Sequence, residues 1–477
     1  MSNDKKMVNS ITARDVDFAK WYTDLCIKAE LMDYSDSKGF IIYRPYGYAL
    51  WEGIMKHLDA ALKDTGHENV YMPLLIPETL FQKEKEHVEG FAPETAMVTT
   101  TGKEDLSERL IIRPTSEVLF CTHYSKVINS YRDLPKLYNQ WCSVVRWEKT
   151  TRPFLRGKEF LWQEGHTVHA NEEEARKETL DILEMYRKLG EDLLAMPFIT
   201  GRKTEREKFA GAIETYSIEA LMHDGQALQS GTTHYFGQEF AKAFDIRYAD
   251  TNNRMSYVYQ TSWGVSTRLI GAVIMVHGDD EGLVLPPYLA PTQIVIIPIQ
   301  GQNEDVIRAT TDLEERLKDK GFRVMLDDSN RSPGWKFSEH EMKGIPVRIE
   351  VGPRDVRQGK AVIVRRHDRN KTMVDLDRID SDMGAILKDI HDAMYEKARV
   401  HVATNTHEAR TYDEFKALIK KGGYVKMSIS GDEAEERIKK DTMATARIIP
   451  FDQEMITENC PVTGKRARHT VMFARAY

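Results

Sequence analysis

The spacing of hydrophobic positions divides the chain into a first part with isolated elements and a second part in which strands and helices alternate. In the first part, Leu50, Ile54, Leu58 and Ala61 recur at helical spacing, which predicts an amphipathic helix over Gly47–Thr65. Other apolar, β-branched runs predict strands at Asn69–Leu75, Arg109–Arg113, Ser143–Glu148 and Glu159–His169.

A second long helix is predicted over Asn171–Leu194. It starts with an asparagine and three glutamates, which are typical of a helix N-terminus because they cap free N–H groups and suit the helix dipole. Few regular strand–helix units separate the strands of this part. We therefore predict a mainly antiparallel sheet with helices packed on it.

The second part begins at the proline-rich run Pro286–Pro291, which disfavours helix. An apolar run at Gln293–Ile299 predicts a buried strand, followed by a helix over Asn303–Lys320 and a strand at Phe322–Leu326. Strand, helix and strand in this order predict an α/β domain. A polar stretch at Thr404–Tyr412 precedes a last segment of roughly 65 residues, which is short for an independent core. The predicted domains are residues 1–287, 288–403 and 404–477.

Composition narrows the class of protein without naming a partner. Of the 477 residues, 41% are hydrophobic and 30% are charged, as in ordinary globular proteins. No window approaches the ~18 consecutive apolar residues of a membrane span, and Met1–Phe18 lacks the apolar stretch of a secretory signal. Four scattered cysteines fit a reducing cytosol. We expect a cytoplasmic protein with no membrane contact, and a net charge of −7 does not exclude a local basic patch for nucleic acid.

Candidate chemistry concentrates in two adjacent predicted strands. Side chains alternate faces along a strand, so two sets are each predicted to share a face: Arg146 with Glu148, and Phe160 with Trp162, Glu164 and His166. Unpaired polar groups cost a few kcal/mol each to bury. A carboxylate and an imidazole beside aromatic rings therefore suit a pocket in which a ligand pairs with them. The alternative is an exposed sheet face with a structural ion pair.

Three other motifs carry polar or small residues. If Arg113–Glu117 is extended, Thr115 and Glu117 point the same way and suit an ammonium group, although a helix N-cap at Thr115 is the alternative. Gln229–His234 and Thr261–Gly271 fit backbone that lies close to a flat ligand, with helix capping as the alternative for the second. The phosphate loop Gly-x4-Gly-Lys-Ser/Thr and the dinucleotide motif Gly-x-Gly-x-x-Gly are both missing from the sequence.

Taken together, these motifs resemble the class II aminoacyl-tRNA synthetases, and the prolyl-tRNA synthetases in particular. Motif 2 of that class resembles Arg146-x-Glu148, a loop and Arg156-x-x-x-Phe160; motif 1 resembles Gly47–Thr65 with the strand containing Pro73; motif 3 resembles Gly264–Arg268. The resemblance runs from about Ala19 to Tyr477. It implies an α+β catalytic domain built on an antiparallel sheet with flanking helices, an α/β anticodon-binding domain, and a small C-terminal α+β domain.

The resemblance also implies the reaction. ATP would activate L-proline to prolyl-adenylate with release of pyrophosphate, and the prolyl group would pass to the 3′ end of tRNA(Pro). Mg²⁺ is expected with ATP, because it neutralises the leaving pyrophosphate. The residues implied for ATP are Arg146, Glu148, Arg156, Phe160, Gln229, Thr232 and Arg268, with Arg146 and Arg268 catalytic. Those implied for proline are Thr115, Glu117, Arg146, Trp162, Glu164, His166, His234, Ser262 and Gly264.

Two regions carry expectations about tRNA. In the anticodon-binding domain, Glu350, Arg354 and Arg357 are implied to contact the anticodon, since carboxylates and arginines read base edges. The basic cluster Arg365–His367 is predicted either to contact the tRNA backbone or to form a solvated strand end. Bacterial-type relatives carry an editing insertion between motifs 2 and 3, and Thr167–Gln260 is too short for it, so we predict no editing by this chain.

The C-terminal segment departs from the relatives. Many of them bind zinc there through four cysteines, whereas the aligned positions here are Ser430, Glu435, Cys460 and Thr463. Serine and threonine are poor zinc ligands, so we predict no structural zinc. Lys426–Ser430 resembles the ATP loop of the class I synthetases, but it lacks that class's partner motif and we interpret it as chance.

Motif 1 implies a homodimer. Two alternatives stay open at this point. One is a class II synthetase for threonine, glycine or histidine. The other is a catalytically silent relative that binds tRNA, although such proteins usually lose an arginine, and Arg146, Arg156 and Arg268 are all present.

Overall fold

A computed structural model describes residues 11–87 and 94–477 of the chain. Residues 1–10, part of the segment in which we expect no secretory signal, lie outside the described residues. No helix of the described ranges is long and apolar enough to cross a membrane. The helices are α1 Phe18–Lys28, α2 Pro45–Asp64, α3 Glu78–His87, α4 Glu117–Val127, α5 Glu172–Leu189, α6 Glu239–Ala243, α7 Arg268–His277, α8 Glu304–Asp319, α9 Pro333–Met342, α10 Pro353–Arg357, α11 Ile379–Thr404, α12 Tyr412–Lys421 and α13 Asp432–Thr442.

The strands lie between these helices along the chain, often two or three in succession. They are β1 Met32–Tyr34, β2 Ile41–Tyr43, β3 Glu68–Asn69, β4 Leu75–Pro77, β5 Met97–Thr101, β6 Glu104–Ile112, β7 Lys136–Val145, β8 Glu159–His169, β9 Ile199–Arg202, β10 Glu214–Leu221, β11 Ala227–Gly237, β12 Arg247–Ala249, β13 Met255–Tyr257, β14 Tyr259–Ser266, β15 Ile294–Pro298, β16 Val324–Leu326, β17 Val347–Val351, β18 Lys360–Arg365, β19 Lys371–Asp375, β20 Thr406–Glu408, β21 Tyr424–Ile429, β22 Thr445–Pro450 and β23 His469–Ala474.

The central sheet of the described residues has the strand order β20-β21-β23-β22-β9-β10-β11-β14-β8-β7-β3. The strands β9, β10, β11, β14, β8 and β7 pair antiparallel, which confirms the predicted antiparallel core. One face of this sheet is covered by apolar side chains of α1, α2, α5 and α7. The opposite face is therefore free to carry polar side chains.

Two elements of the first part differ from the prediction. The predicted strand Asn69–Leu75 is interrupted between β3 and β4, because Met72 bonds to side chains instead of a strand: its N–H donates to Gln140 and its carbonyl accepts from Arg113. The predicted helix Asn171–Leu194 has the expected Asn171 cap, which accepts from the Glu174 N–H at 2.9 Å. Its last turn, Gly190–Leu194, is π-helical.

A second sheet of the described residues, in the order β16-β15-β17-β18-β19, forms the α/β region. Its first strands pair parallel and its last strands pair antiparallel. All residues of β15 are buried, as the apolar run predicts. Helix α8 starts after Asn303, whose side chain accepts from two backbone N–H groups.

The last strands do not form a separate layer. Strand β22 pairs antiparallel with β9, through Ile449 with Arg202 and Pro450 with Gly201, so β20 to β23 extend the central sheet. The segment Lys426–Ile429 lies within β21, where Met427 and Ile429 are buried, which gives that motif a structural role. The predicted boundaries after residues 287 and 403 stay predictions.

Candidate active site

Rows of paired residues cross the free face of the central sheet and bring the predicted pocket residues together. Along one row, Gln140 pairs with Glu164, Glu164 with Gly264, Gly264 with Thr232, and Thr232 with Ser217. The next row joins Tyr138, His166, Ser262, His234 and Thr215 in the same way. Side chains two positions apart on a strand share a face, so both rows line one surface.

A cavity of ≈ 250 Å³ opens on this surface. All nine residues implied for proline line it: Thr115, Glu117, Arg146, Trp162, Glu164, His166, His234, Ser262 and Gly264. Gln229 and Thr232, which were implied for ATP, line it as well. Polar groups thus surround a space smaller than the ~300–1,000 Å³ typical of pockets for drug-sized ligands.

Glu164 lies at the base of the cavity, and its carboxylate is fully engaged by the protein. One oxygen accepts from Ser116 Oγ at 2.5 Å and Gln140 Nε2 at 2.8 Å, and the other lies 3.0 Å from His166 Nε2. Burial alone would raise the pKa of Glu164, but hydrogen bonds from His166 and the other donors hold it below its ordinary value. Glu164 therefore orients the His166 imidazole and carries a buried negative charge. Of these two carboxylates, Glu117 is the one that is placed to accept a hydrogen bond from a ligand.

Thr115 and Glu117 lie beside the motif 2 arginine. Thr115 Oγ1 donates to Glu117 Oε2 at 2.5 Å, and Arg146 Nε donates to the Pro114 carbonyl at 3.0 Å. Burial lowers the pKa of Arg146, while Glu117, Glu164 and Glu148 oppose this shift. The Arg146 guanidinium carbon lies 5.2 Å from the Trp162 ring centroid, which fixes the fork between acidic groups and an aromatic wall.

Three local predictions about these residues are wrong. Strand β7 ends at Val145, so Arg146 and Glu148 follow the strand instead of sharing one of its faces; the Arg146 N–H bonds to the Lys158 carbonyl, as the chain leaves the sheet. The helix N-cap is Ser116 and not Thr115. Glu117 is the first residue of α4, so the segment is not extended through it.

The residues implied for ATP, except Glu148, line three cavities. Phe160 lines one of ≈ 430 Å³ and Arg268 lines another of ≈ 390 Å³; Arg156 lines both. Gln229 and Thr232 lie in the ≈ 250 Å³ cavity. Phe160 and Arg268 therefore line separate recesses that share the exposed Arg156.

Arg268 is held tightly at the start of α7. Its Nε donates to the Leu155 carbonyl at 3.1 Å and its Nη1 to the Gln229 carbonyl at 3.0 Å. Burial, together with the positive charges of Arg156 and Arg146, lowers the pKa of Arg268 to about 10. Arg156 and Arg146 are thus close enough to Arg268 to disfavour its charged form, and three positive charges in this region favour a polyanion. Glu148 lies 3.5 Å from Arg156 Nε and partly balances this field.

His234 is buried and neutral. Thr215 Oγ1 and Thr232 Oγ1 contact its two ring nitrogens at 3.0 and 3.1 Å, and burial together with His166 lowers its pKa to about 3. A neutral imidazole beside the cavity adds shape and hydrogen bonding without adding positive charge.

Sequence reasoning missed several residues that line the cavity, namely Lys203, Glu207, Phe209 and Thr215. They come from β10 and the loop before it, and Thr215 reaches the site because it pairs with His234. Ser116 and Gln140, which hold Glu164, were missed as well. The alternating polar positions of β10 were the one available signal for this strand.

The donors at the site fit Mg²⁺ bound together with phosphate. Mg²⁺ takes oxygen ligands and is usually held by one or two protein groups plus substrate phosphates. Gln229 and Thr232 offer an amide oxygen and a hydroxyl at the cavity. No cluster of three or more His, Cys, Asp or Glu side chains able to hold a metal occurs in residues 11–87 and 94–477, so phosphate would supply most of the ligands.

Comparison with known proteins identifies the family. The profile of the tRNA synthetase class II core domain (G, H, P, S and T) matches residues 99–277, the anticodon-binding domain matches 293–382, and the prolyl-tRNA synthetase C-terminal domain matches 412–477. A proline–tRNA ligase of Onion yellows phytoplasma is 60% identical over 472 residues, 99% of each chain. One of Lachnoclostridium phytofermentans is 59% identical over all of both chains.

The chain belongs to the prolyl-tRNA synthetases. The crystal structure of the Cryptosporidium parvum prolyl-tRNA synthetase, complexed with halofuginone and AMPPNP, is 38% identical and has a TM-score of 0.94, covering 99% of this chain and 100% of that one. The predicted family, fold class and enzyme class are confirmed. The alternatives of another class II synthetase and of a silent tRNA-binding relative lose their support.

In this family setting, the three residues implied for the anticodon lie close together on the α/β region. Arg354 and Arg357 are exposed on α10, which begins two residues after β17. Glu350 lies on β17, and its carboxylate accepts from Arg348 Nε at 3.0 Å. Two arginines are thus free to meet nucleic acid, whereas Glu350 shares its carboxylate with a protein partner.

The prediction for the cluster Arg365–His367 is wrong for its central residue. Arg366 is buried and forms a two-pronged ion pair with Asp279, so it neither contacts solvent nor offers its charge to a phosphate. Its strand end packs against the catalytic region.

Three of the positions that align with zinc ligands in prolyl-tRNA synthetases come together. Ser430 Oγ lies 2.8 Å from Thr463 Oγ1, and hydrogen bonds from Thr463 and neighbouring backbone, acting against burial, lower the pKa of the Cys460 thiol. Glu435 instead accepts from Thr204 Oγ1 at 2.9 Å. Two hydroxyls and one thiol do not fit a tetrahedral zinc site. That this segment lacks a structural zinc stays a prediction.

Proposed function

We propose that the protein binds proline in the ≈ 250 Å³ cavity and ATP in the adjoining recesses, and that Mg²⁺ accompanies the triphosphate. The observation that carries this proposal is the position of Arg146. Its side chain lines the same cavity as Glu117, implied for proline, and as Gln229 and Thr232, implied for ATP. An arginine fork binds two oxyanions at once, so one residue can hold both reacting groups.

Proline fits the cavity by charge and shape. Its secondary ammonium would donate to Glu117 and Thr115, which lie together at the entrance of α4. Trp162 and His234 would line the apolar ring. Discrimination by shape is limited, because one methylene is worth ~1–3 kcal/mol, so smaller amino acids such as alanine are expected to react slowly.

The activation step needs positioning and charge neutralisation. A carboxylate oxygen of proline attacks the α-phosphorus and forms a new P–O bond, while the bond to the bridging oxygen breaks and pyrophosphate leaves. The carboxylate is already ionised, so no general base is required. Arg146 would hold the carboxylate and the α-phosphate in line, and Arg156 and Arg268 would offset the phosphate charge. When bound, Mg²⁺ would neutralise the leaving pyrophosphate.

The same site would transfer the prolyl group to the 3′ end of tRNA(Pro), with AMP as the leaving group. Arg354 and Arg357, with Glu350, would contact the anticodon. We further propose that the protein is a cytoplasmic homodimer that uses α2, and that it does not edit mischarged tRNA. Sedimentation at twice the mass of the chain supports the dimer, and rapid hydrolysis of alanyl-tRNA(Pro) would refute the absence of editing.

The division of the site is tested by two matched substitutions. Glu117→Gln removes the negative charge that faces the ammonium, so we expect the KM for proline to rise about tenfold or more while the KM for ATP stays within about threefold. Arg268→Lys removes a planar fork, so we expect the KM for ATP to rise about tenfold or more while the KM for proline stays within about threefold. Equal changes in both KM values for either variant would show that the two halves are assigned wrongly.

A further inference from the structure

A set of partly buried ion pairs and hydrogen bonds lies at the junction between the catalytic region and the α/β region. We call it the junction cluster; its members are Asp279, Glu341, Arg348, Glu350 and Arg366. Arg366 Nη1 and Nη2 donate to the two oxygens of Asp279 at 2.8 and 2.6 Å, and its Nε donates to the Glu341 carbonyl at 3.0 Å. Arg348 then donates to the Glu341 carboxylate at 2.7 Å and to Glu350 at 3.0 Å.

The two ends of the junction cluster lie at functional elements. Asp279 lies two residues after the end of α7, the helix whose first residue is Arg268 of the candidate ATP site. Glu350, at the other end, is one of the residues proposed to contact the anticodon. A continuous set of hydrogen bonds therefore connects the α7 helix with the proposed anticodon surface.

The ionic groups are suited to fixing an orientation. The Arg366 side chain is 3% exposed, and its planar fork binds Asp279 through two parallel hydrogen bonds, which fix angle as well as distance. Burial alone would raise the pKa of Asp279, but the hydrogen bonds and charge of Arg366 hold it below its ordinary value, so the pair is ionised.

The backbone at the same junction is closely packed. The Leu283 N–H donates to the Met342 carbonyl at 3.0 Å, and the Leu285 N–H to the Gly344 carbonyl at 3.2 Å. Gly282 has φ +144°, and a Cβ there would lie 2.4 Å from the Met342 Cα. Such close contacts leave little room for a change in the angle between the catalytic region and the α/β region, so the junction is rigid.

We infer that Arg366 is a positioning residue for tRNA charging. It fixes the α/β region against the end of α7 at the angle at which a tRNA held by its anticodon presents its 3′ end to the cavity. Arg366 contacts neither the cavity nor the exposed arginines of α10. The inference rests on the proposed function, because it requires the two surfaces to bind the same tRNA.

The test compares two reactions of the same full-length enzyme. Proline-dependent ATP–pyrophosphate exchange needs the catalytic region alone, whereas charging of tRNA(Pro) needs both surfaces. For Arg366→Met we expect kcat/KM for tRNA to fall about tenfold or more, as a displacement of about 1 Å far from the chemistry can cost, with exchange within about twofold of wild type. For Arg366→Lys, which keeps the charge but loses the fork, we expect a kcat/KM for tRNA between those of wild type and Arg366→Met.

The matched control is Arg369→Met. Arg369 reaches the same cluster from its rim, and its side chain is 55% exposed, so both reactions should stay within about twofold of wild type. Unchanged charging by Arg366→Met, or equal loss of charging and exchange, overturns the inference. If Arg366→Met does not fold, Arg366→Lys decides by the same criterion. A wild-type enzyme without proline-dependent exchange would refute the proposed function itself, and this inference with it.

Discussion

Glu219 offers the sharpest test of how the C-terminal strands support the site. It lies on β10 and is completely buried. Its carboxylate accepts from Lys203 Nζ at 2.8 Å and from Arg447 Nε and Nη2 at 3.0 and 2.9 Å, and Arg447 belongs to β22. Burial alone would raise the pKa of Glu219, but the two cations hold it below its ordinary value. One carboxylate thus links two buried positive charges from separate parts of the sheet.

The substitution Glu219→Gln keeps the size of the side chain and removes its charge. Lys203 and Arg447 would then lose the buried carboxylate that both contact, and breaking a buried pair in this way costs ~3–5 kcal/mol. Because the pKa of Glu219 is lowered in the folded protein, its ionised form stabilises the fold above the unfolded pKa. The substitution should therefore lower the free energy of unfolding by its full amount at neutral pH. Lys203 also lines the cavity, so proline activation should weaken as well.

The assay is denaturant unfolding at pH 7, with Glu433→Gln as the matched control. Glu433 pairs with Lys465 at the surface, where its side chain is 66% exposed, so the same chemical change should cost under ~1 kcal/mol. Adding Arg447→Met to Glu219→Gln should recover part of the loss, because it removes one unpaired cation. The reasoning is refuted if Glu219→Gln costs no more than the control, or if the second substitution makes the loss additive.

Two further substitutions test packing and ionisation. A Cβ at Gly165 would lie 2.0 Å from the Trp263 ring, so Gly165→Ala should lower the unfolding free energy by ~1–3 kcal/mol or more and slow proline activation, whereas Gly384→Ala, which meets no atom within 4 Å on helix α11, should raise it by ~0.5–1 kcal/mol. Equal stability of the two variants would contradict this reasoning. Burial raises the pKa of Glu435 to about 7 despite the hydrogen bond from Thr204, so its protonated form favours folding at low pH. Wild type should therefore lose up to ~3 kcal/mol relative to Glu435→Gln between pH 5 and 8, as the folded group ionises, and parallel pH profiles of unfolding would show that Glu435 is not responsible.

Much of the pocket follows from sequence where a strand is regular. Strand β8 has the bounds predicted from its apolar run, so its period of two correctly placed Trp162, Glu164 and His166 on one face. The prediction failed for Arg146 and Glu148, because the chain leaves the sheet at Val145. Alternation gives the face of a side chain only as long as the strand continues.

The pairing of strands that lie far apart in the chain cannot be predicted from the local sequence pattern. Thr215 joins the cavity because β10 pairs with β11, and the Lys203 N–H in turn bonds to the Thr215 carbonyl; nothing local to those residues predicts these partners. The pairing of β22 with β9 and the burial of Arg366 have the same origin. Each depends on which surfaces meet after folding, and an arginine that finds a carboxylate in a junction resembles, in sequence, one that contacts phosphate.

Amino-acid-dependent ATP–pyrophosphate exchange tests the central claim most directly. Wild type and Arg146→Ala would each be assayed with all twenty amino acids. We predict strong exchange with proline, weak exchange with alanine or cysteine, and a loss of proline exchange in the variant with the fold retained. Exchange with a different amino acid, or proline exchange that survives the loss of Arg146, would contradict the assignment of the cavity and of its arginine.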